Sequence, residues 1–163
     1  MMAKYLAIGI AVATIGILFM SQQKRVNRNV RNNNPMNLRE DHRVDYDWVG
    51  EAEEDWDPEF EEFISPEYGF RAGYRTLMTY RNHRGLDTVA GIIGRWAPDS
   101  ENDTPAYIAY IREKLGIHPN VTNFWDDTVP MERYPDLMYW MAEKEGAKGA
   151  YSIEQIERGI ALA

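Results

Sequence analysis

Residues 5 to 20 read YLAIGIAVATIGILFM, an apolar run without a charge. At about 1.5 Å per residue it spans most of a hydrocarbon core about 30 Å thick, and flanking side chains such as Lys4 and Gln22 can reach the interface. Residues 1–22 are therefore predicted to form a transmembrane anchor. A cleaved signal peptide is the alternative, but the run is long and no small-x-small cleavage site stands out near Phe19-Met20-Ser21. Residues 23–34 are polar, rich in Asn and Arg, and read as a basic linker. Residues 35–163 read as one domain. Between 36 and 64, Val44, Tyr46, Trp48, Phe60 and Phe63 alternate loosely with polar positions, which predicts two or three short strands in a small antiparallel β-sheet. From Ser65 onward the apolar spacing becomes three and four. Helices are predicted from Pro66 to a stop at Gly85, from Asp87 or Thr88 to Pro98, and from Thr104 to Gly116. Two more follow, from about 131 or 135 to 145 and from a Ser152–Gln155 capping box onward. Five helices with a small sheet inserted early make an α+β layout.

Charge divides the chain. Residues 1–31 carry Lys4, Lys24, Arg25, Arg28 and Arg31 and no acid, and the remainder holds 13 basic against 26 acidic residues. A body this acidic lacks the basic face that drives nucleic-acid binding, so no nucleic-acid partner is expected for the domain. The positive-inside rule puts the basic flank, and the domain behind it, on the cytoplasmic side. The absence of cysteine excludes a disulfide framework, a thiol nucleophile and a Cys-ligated zinc site.

The chain has no Gly-rich phosphate loop and no G-x-S-x-G elbow, and His42, His83 and His118 show no ligand spacing. The acidic run EAEEDWDPEFEE at 51–62 lacks the spaced pattern of a calcium loop. No metal or cofactor is implied. Carboxylates remain. Cleaving a glycosidic bond requires a proton delivered to the leaving oxygen, from a Glu whose pKa is raised by partial desolvation. Two places suit such a residue. Glu101 lies between two predicted helices, after Trp96 and before Tyr107, and Glu145 ends an aromatic-rich helix ahead of Tyr151. Asn33, Asn34, Asn37 and Asn102 carry amides that suit sugar hydroxyls and N-acetyl groups; turn chemistry is the other use of such residues.

The segments RNNNPMNLR, Trp48-x-Gly50, FISPEYGFRA, GLDTVAGIIGRWAPDSENDTPAYI and YSIEQIERGIALA together resemble a family of phage structural or lytic proteins. Its members are described as virion proteins or lysozyme-like peptidoglycan hydrolases. The Trp-Ala-Pro to Asn-Asp-Thr block, with Glu101, Asn102, Asp103 and Thr104, matches without substitution. Met36 stands where the family has Gly, and the stretch Lys144 to Ala147 departs from its usual His-Glu-Asn-Gly, although Glu145 and Tyr151 are kept. The resemblance implies a lysozyme-like fold. It also implies an enzyme that cuts peptidoglycan glycan strands as a lytic transglycosylase or muramidase. Glu101 or Glu145 would be the acid and base, and Asn33, Asn34, Asn37, Asn102, Thr104, Tyr107 and Tyr151 would hold the sugar. No second catalytic carboxylate stands out, which leans toward transglycosylation. The expected partners are glycan strands, a membrane through residues 4–20 and other virion proteins. The expected location is the virion membrane or the host inner membrane, with the domain acting on the wall. A virion membrane, or a span that later leaves the bilayer, reconciles that site of action with the basic flank. A non-catalytic structural virion membrane protein with the same fold is the alternative.

Overall fold

The computed structural model describes residues 26–44, 46–54, 56–117 and 127–163. A single turn of helix, α1 (Arg28–Arg31), opens this part of the chain. The long helix α2 (Pro66–Arg84) follows, then α3 (Val89–Trp96), α4 (Thr104–Leu115), α5 (Tyr134–Lys144) behind a 3-10 turn at Met131–Arg133, and α6 (Ile153–Ala161).

The five longer helices begin and end where local chemistry dictates. Thr88 accepts a hydrogen bond from the Gly91 N–H at 3.0 Å, and Asp103 accepts one from the Ala106 N–H at 3.1 Å. The capping box at Ser152 is complete, with reciprocal bonds to Gln155. Gly85 and Gly116 close α2 and α4 in the left-handed conformation.

One apolar core joins all five. Phe70 and Leu77 of α2, Ile92 and Ile93 of α3, Ile111 of α4, Leu137, Met138 and Met141 of α5, and Ile156 of α6 are fully buried. Helices α2 and α6 cross closely at Gly159. A Cβ there would stand 2.6 Å from the Phe70 Cβ and 2.7 Å from the Glu67 carbonyl, so a larger residue would prise the pair apart. Met36 is also buried. Its sulfur lies over Gly73, so Met36 fills a groove on α2.

Three expectations are corrected. The small antiparallel sheet is absent: among the described residues there are only isolated antiparallel pairs, Arg39 with Phe60, Glu51 with Phe63 and Thr88 with Thr128. The reason lies in the acidic run. Glu51 accepts the Trp48 N–H at 2.9 Å, Glu62 the Trp56 N–H at 2.6 Å and Asp57 the Glu59 N–H at 3.3 Å, so side chains take donors that a ladder would need. Asp47 and Gly50 turn the backbone to positive φ between them. The layout is thus mostly helical, neither α+β nor the lysozyme-like arrangement of helices around a sheet.

The membrane-anchored location is the third correction, because no helix among the described residues is long and apolar enough to cross a membrane. The anchor read at residues 1–22, with its membrane contact at 4–20, lies outside the described residues. The stretch read as a linker at 23–34 is folded into the body from residue 27: Asn29, Asn32 and Asn34 are buried.

Candidate active site

Helix α5 delivers Glu145 to a cleft. Glu145 is the residue that closes the helix, its N–H bonded to the Met141 carbonyl at 2.8 Å. The last carbonyls of a helix lack partners within it. Here the amino-terminal segment supplies them: the Asn29 amide donates to the Glu145 carbonyl at 3.2 Å, and the Asn27 amide donates to the Gly146 carbonyl at 2.9 Å. Gly146 sits at φ 107°, and a Cβ on it would run into the Asn27 amide. The backbone around Glu145 is therefore gripped from across the molecule.

The Glu145 carboxylate has two neutral donors at hydrogen-bond distance, with Trp96 acting more weakly. The Tyr107 hydroxyl of α4 donates to one oxygen at 3.1 Å, and the Asn37 amide reaches the other at 3.4 Å. Asn37 is placed by a turn that Asn34 ties together, accepting from the Leu38 N–H and donating to the Leu38 and Glu61 carbonyls. Burial raises the Glu145 pKa above the usual carboxylate range, while donors from Tyr107, Asn37 and Trp96 and the charge of Lys144 pull it back down. The negative end of α5 also disfavours charge at this position. The Tyr107 hydroxyl is held protonated by its burial and by Glu145.

The cleft has a volume of about 230 Å³. Thr76 and Tyr80 of α2 and Trp96 of α3 line it, and Arg39, Glu101 and Asn102 stand around it. Arg39 pairs with Glu101 at 3.0 Å, and both side chains are more than half exposed. The arrangement joins a partly desolvated carboxyl, aromatic faces and exposed amide and guanidinium donors in one groove. It suits a polyhydroxylated ligand and a proton transfer to it.

No family model matches the chain. It is 40% identical over 149 residues to Protein P5 of Pseudoalteromonas phage PM2, an alignment that covers 91% of this chain and 89% of that protein. The chain belongs to the phage Protein P5 family. The matched stretch is long enough to include most of the P5-like body.

In this P5-family chain, the residues singled out from sequence divide in two. Glu145, Tyr107, Asn37, Asn102 and Glu101 meet at the cleft. The other four serve the fold. Asn33 donates to the Phe63 carbonyl at 2.9 Å, Asn34 is buried in its turn, and Thr104 is buried with its hydroxyl on the Ala97 carbonyl. Tyr151 packs edge-on against Phe70, ring centroids 5.3 Å apart. The two glutamates differ as well: Glu101 is exposed and ion-paired, whereas Glu145 is held by neutral donors.

Arg39, Thr76, Tyr80 and Trp96 were not among the expected site residues, nor was the Asn27–Asn29 clamp. Thr76 and Tyr80 lie four apart on one face of α2, a spacing that sequence does show. Nothing local marks Arg39 or the clamp, whose partners are 62 to 119 residues away. The P5-family body also gathers acids elsewhere. Glu40, Glu51 and Glu61 each bring a carboxylate oxygen within 4.8 Å of the others, close enough to share a cation or, with Glu61 protonated, a proton.

Proposed function

We propose that this phage protein is a virion-associated glycosidase that cleaves the glycan strands of peptidoglycan, with Glu145 as acid and then base. The observation that carries the reading is a carboxyl at the end of α5, partly desolvated, aimed into a cleft and held by the Tyr107 hydroxyl and the Asn37 amide. In the protonated state Glu145 gives its proton to the glycosidic oxygen as the bond from that oxygen to the anomeric carbon breaks. The alcohol leaves, and positive charge develops on the sugar ring. The carboxylate, now stabilised by Tyr107 and Asn37, takes a proton from the incoming nucleophile. That nucleophile is water in a hydrolase, or the sugar's own hydroxyl in a transglycosylase, which yields an anhydro product. Glu101 carries the second carboxylate of the cleft and is tied to Arg39. That tie supports a role for it in strand binding or charge stabilisation rather than proton transfer. Asn102 and Arg39 supply donors for acetamido and hydroxyl groups, and Trp96 and Tyr80 supply faces for sugar rings.

One observation favours a second reading. Both Glu145 oxygens already accept hydrogen bonds inside the protein, as those of a merely structural buried carboxylate would. The protein would then be a non-catalytic component of the phage particle. Incubation of the full chain with purified peptidoglycan, followed by mass spectrometry of soluble fragments, separates the two. Release of reducing or anhydro muropeptides by wild type, lost in Glu145→Gln and kept in Glu101→Gln, supports the enzyme and this choice of acid. No release by folded protein leaves the structural reading.

A further inference from the structure

The cleft does not end at Thr76 and Tyr80. These two residues, with Leu38 and Arg39, also line a second, larger cavity of about 630 Å³. Thr76, Tyr80 and Arg84 follow one another at intervals of four on α2, so one stripe of that helix runs along both cavities. Arg75 on α2 and Arg95 in the last turn of α3, next to Trp96, join the second one. Tyr46 and Trp48 form part of its wall, their ring centroids 5.6 Å apart and the rings tilted by 33°. The Trp48 ring is anchored through its N–H to Glu61, while Tyr46 is 57% exposed.

The charge of this cavity runs against that of the body. Its lining holds five arginines and three acids. Two arginines are neutralised, Arg43 by Asp41 at 2.9 Å and Arg39 by Glu101 at 3.0 Å. Arg75, Arg84 and Arg95 are exposed and have no carboxylate within ion-pair distance among the described residues. Of the acids, Asp41 is engaged by Arg43, burial next to Glu40 and Glu51 pushes Glu61 up to about 8, and Glu40 is the one negative charge left in the lining, gathered with Glu51 and Glu61 within 4.8 Å. Three unpaired guanidinium groups thus border one groove of a net-acidic protein, beside an aromatic pair. Guanidinium groups are suited to bidentate binding of carboxylates.

We propose that the second cavity binds the acidic peptide branch of the same peptidoglycan strand. Arg75, Arg84 and Arg95 take its carboxylates, and the Tyr46–Trp48 wall packs against its apolar atoms. The identity of the strand rests on the glycosidase reading; the carboxylate chemistry of the groove does not. N-acetylated sugars linked through their hydroxyls are neutral, and the strand carries most of its carboxylates on the peptide branches. A groove that adjoins the Glu145 cleft and is lined by arginines therefore fits a branch rather than a further sugar. The enzyme would then prefer strands that still bear their peptides.

Binding tests this without turnover. Full-length Glu145→Gln protein is titrated with soluble glycan oligomers bearing their peptides, with the same oligomers stripped by an amidase and then amidated at the lactyl carboxyls so exposed, and with the free peptide. The peptide-bearing oligomer is expected to bind at least about tenfold more tightly than the stripped one. Adding Arg75→Gln, Arg84→Gln and Arg95→Gln together should erase that preference and leave affinity for the stripped oligomer unchanged. The three single variants, read the same way, cover the case in which the triple variant misfolds. Equal affinity for the two oligomers, or a preference that survives the arginine substitutions, overturns the inference. Activity of wild type is measured in parallel. An arginine-dependent preference without strand cleavage sinks the glycosidase reading and keeps the peptide groove. Cleavage with no preference does the reverse.

Discussion

Two carboxylates among the described residues are held above the usual ionisation range by burial, in surroundings of opposite sign. Glu61 is 3% exposed, and apart from the Trp48 ring N–H its side chain faces the carboxylates of Glu40 and Glu51. Burial and like charge both push its pKa in one direction, up to about 8. Glu145 is raised by burial alone, and every neighbour that acts on it favours the ionised form. A proton donor that must also take a proton back needs both states within reach in one cycle. Donors such as Tyr107 and Asn37 stabilise the carboxylate after it has given its proton. Glu40 and Glu51 would punish Glu61 for doing so. A raised pKa therefore does not select the acid by itself; the sign of the surroundings does.

The strongest way to break this contrast is to neutralise each residue in turn. Glu145→Gln is expected to lower muropeptide release by a factor of about 100 or more, while Glu61→Gln stays within a few-fold of wild type. Inactivity of the Glu61 variant alone would reverse the assignment. Next in size is Gly146→Ala. It sets a Cβ against the Asn27 amide at φ 107° and should cost about 1–3 kcal/mol in chemical denaturation, with activity falling as Glu145 shifts. Tyr107→Phe removes a donor to the Glu145 carboxylate. Activity should fall about tenfold, and the limb of the pH–rate profile where the acid is lost should move to higher pH; an unmoved limb would mean that Glu145 is not the titrating acid.

The raised pKa values also act on stability. A carboxyl whose folded pKa lies above its unfolded one contributes nothing below the unfolded value, and its cost accumulates as pH rises to the folded value. For Glu61 that window runs from about 4.5 to about 8; for Glu145 it opens at the same point and closes at its own raised value. Both Glu→Gln variants should therefore melt a few degrees above wild type at neutral pH and level with it near pH 4, and a gain at acid pH would contradict the linkage. The smallest effect is expected from Arg39→Ala or Glu101→Gln. The exposed pair contributes at most about 1 kcal/mol to stability, and activity should change by less than about tenfold.

The helices were legible because their ends carry their own chemistry. Ser65-Pro66, Asp103-Thr104-Pro105 and Ser152 to Gln155 mark starts, and Gly85, Gly116 and Gly146 mark stops, whatever the tertiary context. The sheet was misread because alternation at 44–63 looks the same whether backbone groups bond to a neighbouring strand or to Glu51, Asp57 and Glu62. At the site, an aromatic neighbourhood brought out both Glu101 and Glu145. Their difference is one of burial and partner, and the partners come from residues 37, 39 and 107, none adjacent in sequence. Asn33 and Asn34 show the limit from the other side: an amide suited to a sugar is equally suited to a turn.

The clamp of Asn27 and Asn29 on the end of α5 sets where the working unit begins. A boundary drawn at Pro35, where the sequence alone places the start of the domain, would delete the amides that hold the Glu145 and Gly146 carbonyls. A shortened version made for expression must retain Asn27. A protease that nicks the chain just after it would leave most of the core intact while releasing one hand from the end of α5.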